Sequence, residues 1–342
     1  DPVRFQPAGT DSAIEYVPPG TSTVADCAAP PAVVRSKLPR PATMLPVPTP
    51  PVVGAYNDGT PFDQIQFLEA KLILKPDRFT SVKAFRQFDR LVAKVAKASG
   101  VGYTPNPKAP ERPEIREITF YDTPDFRLYN AAFILRRRIA YVDGFATGDP
   151  ELVGKFRHTD EATAMKIDMR PKIEGNYEIK FKAEMLPLKE GPGGYRLLYS
   201  HNCQFGQSQW HSAARTTAVA LNHAFPALAA LELPEEGHVT LVNEGIVEEI
   251  MLPLGILDFG GGRTAKTDIS LWRTRGEHQS LVGEFSFQMK FDRKEAVAHE
   301  QRQRVAQFYV SLQHAVEDWL EFGVTKTAMV YRLRGNPPAS HE

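Results

Sequence analysis

Four stretches of this chain alternate, residue by residue, between bulky apolar side chains and Arg, Lys or Glu. In Asn176–Lys182, NYEIKFK, the residues Tyr177, Ile179 and Phe181 interleave with Glu178, Lys180 and Lys182. In Leu281–Phe291, Phe285, Phe287, Met289 and Phe291 interleave with Glu284, Ser286, Gln288 and Lys290. Gln64–Lys75 sets Leu68, Ala70, Leu72 and Leu74 against Glu69, Lys71, Ile73 and Lys75. After Phe133-Ile134-Leu135 the same period sends Arg136 and Arg138 to one face and Arg137 to the other. A period of two is the signature of a strand. One strand of this kind is an ordinary half-exposed sheet. Four with charged faces poor in Ser, Thr and Gln are better explained by closure, which turns those faces into a lumen while helices cover the apolar exterior. The expected fold class is therefore α+β, a closed antiparallel barrel of about eight strands with flanking helices.

The remaining chain supplies the flanks. Thr80 or Ser81 caps a helix whose stripe is Val82, Phe85, Phe88, Val92 and Val95 and which ends at Gly100. Tyr103–Pro113 is proline-rich and reads as a loop, and Tyr141–Glu161 is rich in glycine and charge with weak periodicity. His211 to about Leu231 reads as an alanine-rich helix kinked at Pro226. Glu244–Phe259 and Lys266–Arg275 read as strands around Gly260-Gly261-Gly262, a hairpin turn without the Gly-Lys-Ser/Thr ending of a nucleotide-binding loop. Asp292 and Glu295 form a capping-box signal for a helix carrying Val305, Tyr309, Leu312, Val316 and Trp319. Thr325–Arg332 closes the folded part.

Residues 1–62 hold 13 of the 28 prolines, which forbids regular helix and argues for an extended arm or linker. An arm docked on a surface, a protein partner's included, is one reading and a plain linker the other. The folded domain is expected over 63–334, with a tail at 335–342. Charge is balanced, 41 basic against 41 acidic residues, so no global field points to a specific nucleic acid and any basic site is local. No apolar run reaches the ~20 residues needed to span a bilayer. Cys27 and Cys203 are too few for a disulfide framework and read as buried thiols before a bridge. His201, His211 and His223 fit no common zinc spacing. The chain opens at Asp1 without methionine, so a removed signal would leave no trace; the compartment stays open, with the cytoplasm preferred.

A lumen rich in cations suits a dense, multivalent anion such as a phosphate chain. A few carboxylates among the cations can hold Mg²⁺ or Mn²⁺ against it. The stretch YDTPDFRLYNAAFILRRR, from Tyr121 to Arg138, resembles the signature of the triphosphate tunnel metalloenzymes, the CYTH superfamily: aromatic-Asp-Thr-Pro, then Leu-Arg-x-Arg. Glu178-x-Lys180-x-Lys182 is most similar to the VTC branch, which polymerises phosphate. The resemblance covers roughly Gln64 to Arg332 and implies an eight-stranded tunnel that binds triphosphate or polyphosphate with a divalent metal.

It also implies roles. Lys71, Arg136, Arg138 and Glu284 are the candidates for the chemistry. Lys75, Lys180, Lys182, Lys290 and Lys326 join the two arginines in holding phosphates. Glu69, Glu178 and Glu284 are the candidates for Mg²⁺ or Mn²⁺. Two expected carboxylates are replaced, by Phe67 on the first strand and by Ser286 near the end. The primary reading is a metal-dependent enzyme acting on phosphoanhydrides, by hydrolysis or phosphoryl transfer. The alternatives are a non-catalytic polyphosphate-binding or structural tunnel and an unrelated β-rich interaction protein.

Overall fold

A computed structural model describes residues 64–107, 110–210, 217–291 and 297–334. The proline-rich arm, Cys27, His211, the Asp292/Glu295 capping signal and the C-terminal tail lie outside the described residues.

The ten strands are β1 Phe67–Leu74, β2 Gly102–Pro105, β3 Glu114–Asp122, β4 Phe133–Val142, β5 Phe145–His158, β6 Glu178–Pro187, β7 Tyr195–Gly206, β8 Thr240–Asp258, β9 Thr264–Thr274 and β10 Ser280–Lys290. Nine of them form a closed barrel in the order β8-β3-β4-β5-β7-β6-β1-β10-β9, with β9 returning to β8. The short β2 lies outside the ring, on the C-terminal half of β8. Closure was expected; strand number and direction differ in detail. The ring has nine members, and β1 runs parallel to β6, pairing Phe67 with Lys182 and Glu69 with Glu184. A parallel neighbour needs a crossover and cannot come from a hairpin, so local turn signals do not announce it. Gly102–Pro105, overlapping the start of the expected loop, is a strand, and so is most of the weakly periodic region 141–161.

Helices pack on the outside. α1, Val82–Ala98, buries Phe85, Phe88, Val92 and Val95 of the predicted stripe, while Val82, in its first turn, is exposed. Ser81 is its N-cap without a side-chain bond, and Gly100 follows its end at φ +67°. α5, His299–Ala315, buries Val305, Phe308, Tyr309 and Leu312. These two helices cover the apolar faces of β1 and β10: Phe88 meets Phe285 at 5.3 Å between ring centres, and Phe308 meets Phe287 at 5.7 Å. Three short helices, α2 Arg127–Asn130, α3 Glu161–Met165 and α4 Ala218–Ala224, lie in the connections. After α4, Pro226 opens a 3₁₀ turn to Leu231 where a kinked helix was expected. There Phe225 presses so closely on Gly154 of β5 that a Cβ would sit 2.6 Å from its ring. Gly260, Gly261 and Gly262 all take positive φ in the β8–β9 hairpin.

The last helix, α6 Lys326–Tyr331, packs against the barrel. Thr325 caps it by accepting the Ala328 N–H at 3.2 Å, and the Asn243 amide donates to the Val330 and Tyr331 carbonyls at 2.8 and 2.9 Å. Tyr331 lies in a second apolar cluster with Ile73, Ile118, Phe120, Ile134 and Trp272, separate from the core under the outer helices. By strand alternation these five point inward, so one end of the barrel interior is apolar and the rest is charged.

Candidate functional site

The charged faces meet in one cavity of about 390 Å³. Its wall carries Glu69 and Lys71 from β1, Arg116 from β3, Arg136 and Arg138 from β4, and Glu151, Lys155 and Arg157 from β5. Lys180 and Lys182 come from β6, Glu249 from β8, Asp268 from β9, Glu284 from β10 and Lys326 from α6. Nine cationic side chains face five carboxylates, so the lumen is net positive in a molecule of zero net charge. Arg137, between the two lumenal arginines, points outward to the Gln207 amide oxygen at 2.9 Å and to Glu117 at 3.7 Å.

Glu184 organises the β5–β6 wall. Fully buried, it accepts Lys71 Nζ at 2.9 Å and Ser200 Oγ at 2.6 Å, is hydrogen-bonded by Lys155, and has Arg157 at 3.5 Å. Burial opposes its ionisation, but Lys155, Lys71 and Arg157 overcome that cost and hold its carboxyl well below the usual range. Burial likewise opposes the Lys71 charge, and Glu184 with Glu69 more than restores it. Removing the carboxylate would leave buried cations uncompensated, a loss on the order of 3–5 kcal/mol.

Arg136 differs from its neighbours. Arg138 pairs with Glu151 at 3.1 Å, Lys180 with Glu178 at 2.8 Å and Lys182 with Glu69 at 3.3 Å. Arg136 has no ion-pair partner among the described residues, and its buried Nε has no hydrogen-bond acceptor. Burial, then the adjacent Arg138, brings its guanidinium down to about 10. Asp268 is the counterpart among the carboxylates: it lines the cavity with no ammonium or guanidinium in salt-bridge range among the described residues. Burial pushes it up to about 6, against Arg116 and with Glu249, Glu69 and Glu114 adding to the rise.

At the apolar end α6 delivers Lys326. Its ammonium is 2.7 Å from Glu284 and 3.3 Å from Glu249, and lies 4.7 Å from the centre of the Trp272 ring. The Trp272 indole N–H also donates to Glu249 at 2.8 Å. Burial would raise the Glu249 carboxyl, but Lys326, Arg138 and Arg116 hold it at about 2.

Of the residues expected from sequence, Glu69, Lys71, Arg136, Arg138, Lys180, Lys182, Glu284 and Lys326 line the one cavity. Three do not. Lys75 lies past the end of β1, where the chain turns, and donates to the Asp318 carbonyl outside the barrel at 3.3 Å. Lys290 ends β10 as an exposed residue with its ammonium 5.7 Å from the Phe67 ring, beside Lys180 at 5.8 Å and Lys182 at 6.0 Å. Glu178 opens β6, and its half-exposed carboxylate is taken by Lys180. The period of two is right for all three, but each sits at a strand end beyond the enclosed section. Conversely, Arg116, Glu151, Lys155, Arg157, Glu184, Glu249 and Asp268 are not evident from the sequence patterns; all but Glu184 lie on strands whose alternation is weak or whose face the pattern leaves open.

The donor set does not fit Mg²⁺ or Mn²⁺ held by Glu69, Glu178 and Glu284. Glu178 is away from the cavity, and the other two carboxylates are already bound by ammonium groups. Among the described residues no group of three His, Cys, Asp or Glu side chains is placed to hold a metal ion.

Fold and site together define a closed β-barrel with a cationic, carboxylate-studded lumen. No protein-family model matches the chain, and no curated protein matches it by sequence. Among solved structures it is similar to an adenylyl-cyclase-type protein of Hippeastrum described as having a dominant triphosphatase activity, at TM-score 0.37 and 12% identity over 78% of this chain and 95% of that one. A protein of Bacillus halodurans described as an adenylate cyclase is similar at TM-score 0.35 and 11% identity over 78% of this chain and 96% of that one. At these values neither likeness bears on what this chain binds.

Proposed function

We propose that this chain binds the phosphate chain of an inorganic triphosphate, a short polyphosphate or a nucleoside triphosphate inside the barrel and catalyses attack on its terminal phosphoryl group. The carrying observation is Arg136, whose guanidinium has a buried Nε and no ion-pair partner among the described residues, in a lumen where cations outnumber carboxylates nine to five. A desolvated cation of this kind gains most from an anion that brings several oxygens. The Leu-Arg-x-Arg pattern of the triphosphate tunnel metalloenzymes, which the Leu135–Arg138 stretch resembles, supports the same reading.

In this reading Arg136, Arg138, Lys180 and Lys182 hold the phosphate oxygens and stabilise the charge that spreads over the equatorial oxygens as the terminal group transfers. Water attacks the terminal phosphorus in line, the bond to the bridging oxygen breaks, and the carboxylate of Asp268 takes the proton. If a second phosphate replaces water, the same arrangement lengthens a chain. Phosphate release from tripolyphosphate and from ATP, compared between the natural chain and Arg136→Ala and Asp268→Asn variants, tests this. Turnover lowered at least 10²-fold in Arg136→Ala is expected, and absence of turnover with every phosphoanhydride would overturn the catalytic part.

One observation favours a second reading, an anion-binding tunnel without turnover. Among the lumenal carboxylates Asp268 alone is not engaged by a cation, so the described residues offer a single group to activate a nucleophile. Tripolyphosphate that raises the melting temperature without being consumed would select this reading.

A further inference from the structure

The inner end of the cavity contains two carboxylates, Glu249 and Glu284, on neighbouring parts of the wall. In a phosphate-binding lumen such a pair is the natural seat for a divalent cation, which commonly uses one or two protein carboxylates together with substrate oxygens and water. Here the seat holds the chain's own cation. Lys326 Nζ lies 2.7 Å from Glu284 Oε1 and 3.3 Å from both Glu249 Oε1 and Ser270 Oγ, with the Trp272 ring on a further side. This ammonium is not on a free arm. It is the first residue of α6, whose start is fixed by Thr325 and whose end is fixed by Asn243 and by Tyr331 on Asp122. A metal ion entering the pair would have to expel an ammonium that has an aromatic wall behind it, and would leave that charge buried without partners.

The opposite end is arranged alike. Phe67 presents an aromatic ring with three ammoniums, those of Lys180, Lys182 and Lys290, within 6.0 Å of its centre. Positive charge at both ends of the cavity is thus carried by lysines.

We propose that the tunnel binds its polyphosphate without a divalent cation, the Lys326 ammonium occupying the Glu249–Glu284 seat as a built-in counter-charge. This rests on the polyphosphate reading above. Lys326 then does two things at once: it offsets part of the negative charge of two carboxylates that would repel a phosphate chain, and it places a fixed ammonium at the chain's inner end.

The test is calorimetric titration of the full chain with sodium tripolyphosphate, in EDTA and with Mg²⁺ or Mn²⁺ at matched free anion. Binding in EDTA with a Kd within about threefold of the value with metal is expected. Mn²⁺ alone, followed by electron paramagnetic resonance, should find no tight site in the natural chain. In Lys326→Ala the emptied carboxylate pair should gain a Mn²⁺ site, while tripolyphosphate affinity in EDTA falls at least tenfold and is partly restored by Mn²⁺. Tripolyphosphate binding by the natural chain that vanishes in EDTA and returns with metal overturns the inference and leaves the polyphosphate reading standing. A tight Mn²⁺ site in the natural chain, lost in Glu284→Gln, overturns it as well, and needs no folded Lys326 variant. No tripolyphosphate binding under either condition removes the polyphosphate reading, and the inference falls with it.

Discussion

The carboxylate of Asp122 accepts a 2.9 Å hydrogen bond from the hydroxyl of Tyr331, 209 positions further along the chain. The same carboxylate accepts the backbone N–H groups of Thr123, Leu128 and Tyr129 at 2.8, 2.9 and 3.0 Å. One buried side chain therefore fixes the turn before β4 and the helix that carries Lys326. The Asp-Thr-Pro segment is a clamp that positions lumenal groups without entering the lumen. Asp122→Ala should cost about 2–4 kcal/mol of unfolding free energy, since it strands buried donors, and Tyr331→Phe about 1–2 kcal/mol. Urea unfolding of both variants and the double variant checks this; fully additive losses would show that the bond does not couple the two sites.

Arg136 and Arg137 are neighbours in sequence with opposite environments, which makes them a matched pair. Arg136→Ala should weaken tripolyphosphate binding by about 1.5–3 kcal/mol, more than tenfold in Kd, because a charge-assisted contact is lost. Arg137→Ala removes an outward contact to Gln207 and should leave Kd within about twofold. Equal losses in the two variants, measured by calorimetry, would refute the inward–outward assignment of function.

Asp268, pushed up to about 6, gives binding a pH dependence of known sign. Below pH 6 it is protonated and neutral; above it, an added negative charge faces the bound phosphates. The ratio of natural-chain to Asp268→Asn affinity should be near one at pH 5 and fall by roughly fivefold at pH 7.5, about 1 kcal/mol of repulsion at a partly solvated site. Taking the ratio cancels the ligand's own titration. A ratio unchanged between the two pH values would show that Asp268 does not ionise next to the ligand.

His201 acts on stability alone. It is 1% exposed, stacks on Phe181 at 4.0 Å, and neither ring nitrogen has a hydrogen-bond partner among the described residues. Burial brings it down to about 4 from an ordinary value near 6.5. The folded state therefore keeps it neutral while the unfolded chain takes up a proton. The stability from this group is complete above pH 6.5 and is lost as pH falls from 6.5 to 4, by roughly 3 kcal/mol. His201→Phe should flatten that part of the stability–pH curve; an unchanged slope in chemical denaturation would contradict the assignment.

What the sequence disclosed follows from where alternation is strict. β6 over Glu178–Lys182 and β10 over Glu284–Lys290 interleave large apolar with charged or polar residues, so Lys180, Lys182 and Glu284 were legible as lumenal. β5 begins with Phe145-Ala146-Thr147-Gly148-Asp149, an exposed stretch that mimics a loop and hides Lys155 and Arg157 further on. Glu184 follows directly on the readable part of β6, but its importance arises from cations on β1 and β5 that only the closed ring brings together. Lys75 and Lys290 show the reverse failure: periodicity runs on past the point where enclosure stops. The pairing of the inward carboxylates was not legible, because the lysines that meet them come from other parts of the ring, and Lys326 comes from a helix remote in sequence.

The pairing of β1 sets the order in which such a chain can assemble. β1 is the first barrel strand to be synthesised, yet its neighbours are β6 and, through Ile73 opposite Glu284, β10 near the other end of the chain. α1 can form on its own local contacts, but β1 keeps an open edge until nearly the whole domain has been made. Contacts this distant in sequence slow folding and leave an unpaired strand edge exposed meanwhile. Any truncation before β10 would thus remove the seam of the barrel, leaving a sheet with unsatisfied edges and its lysines spread over an open surface.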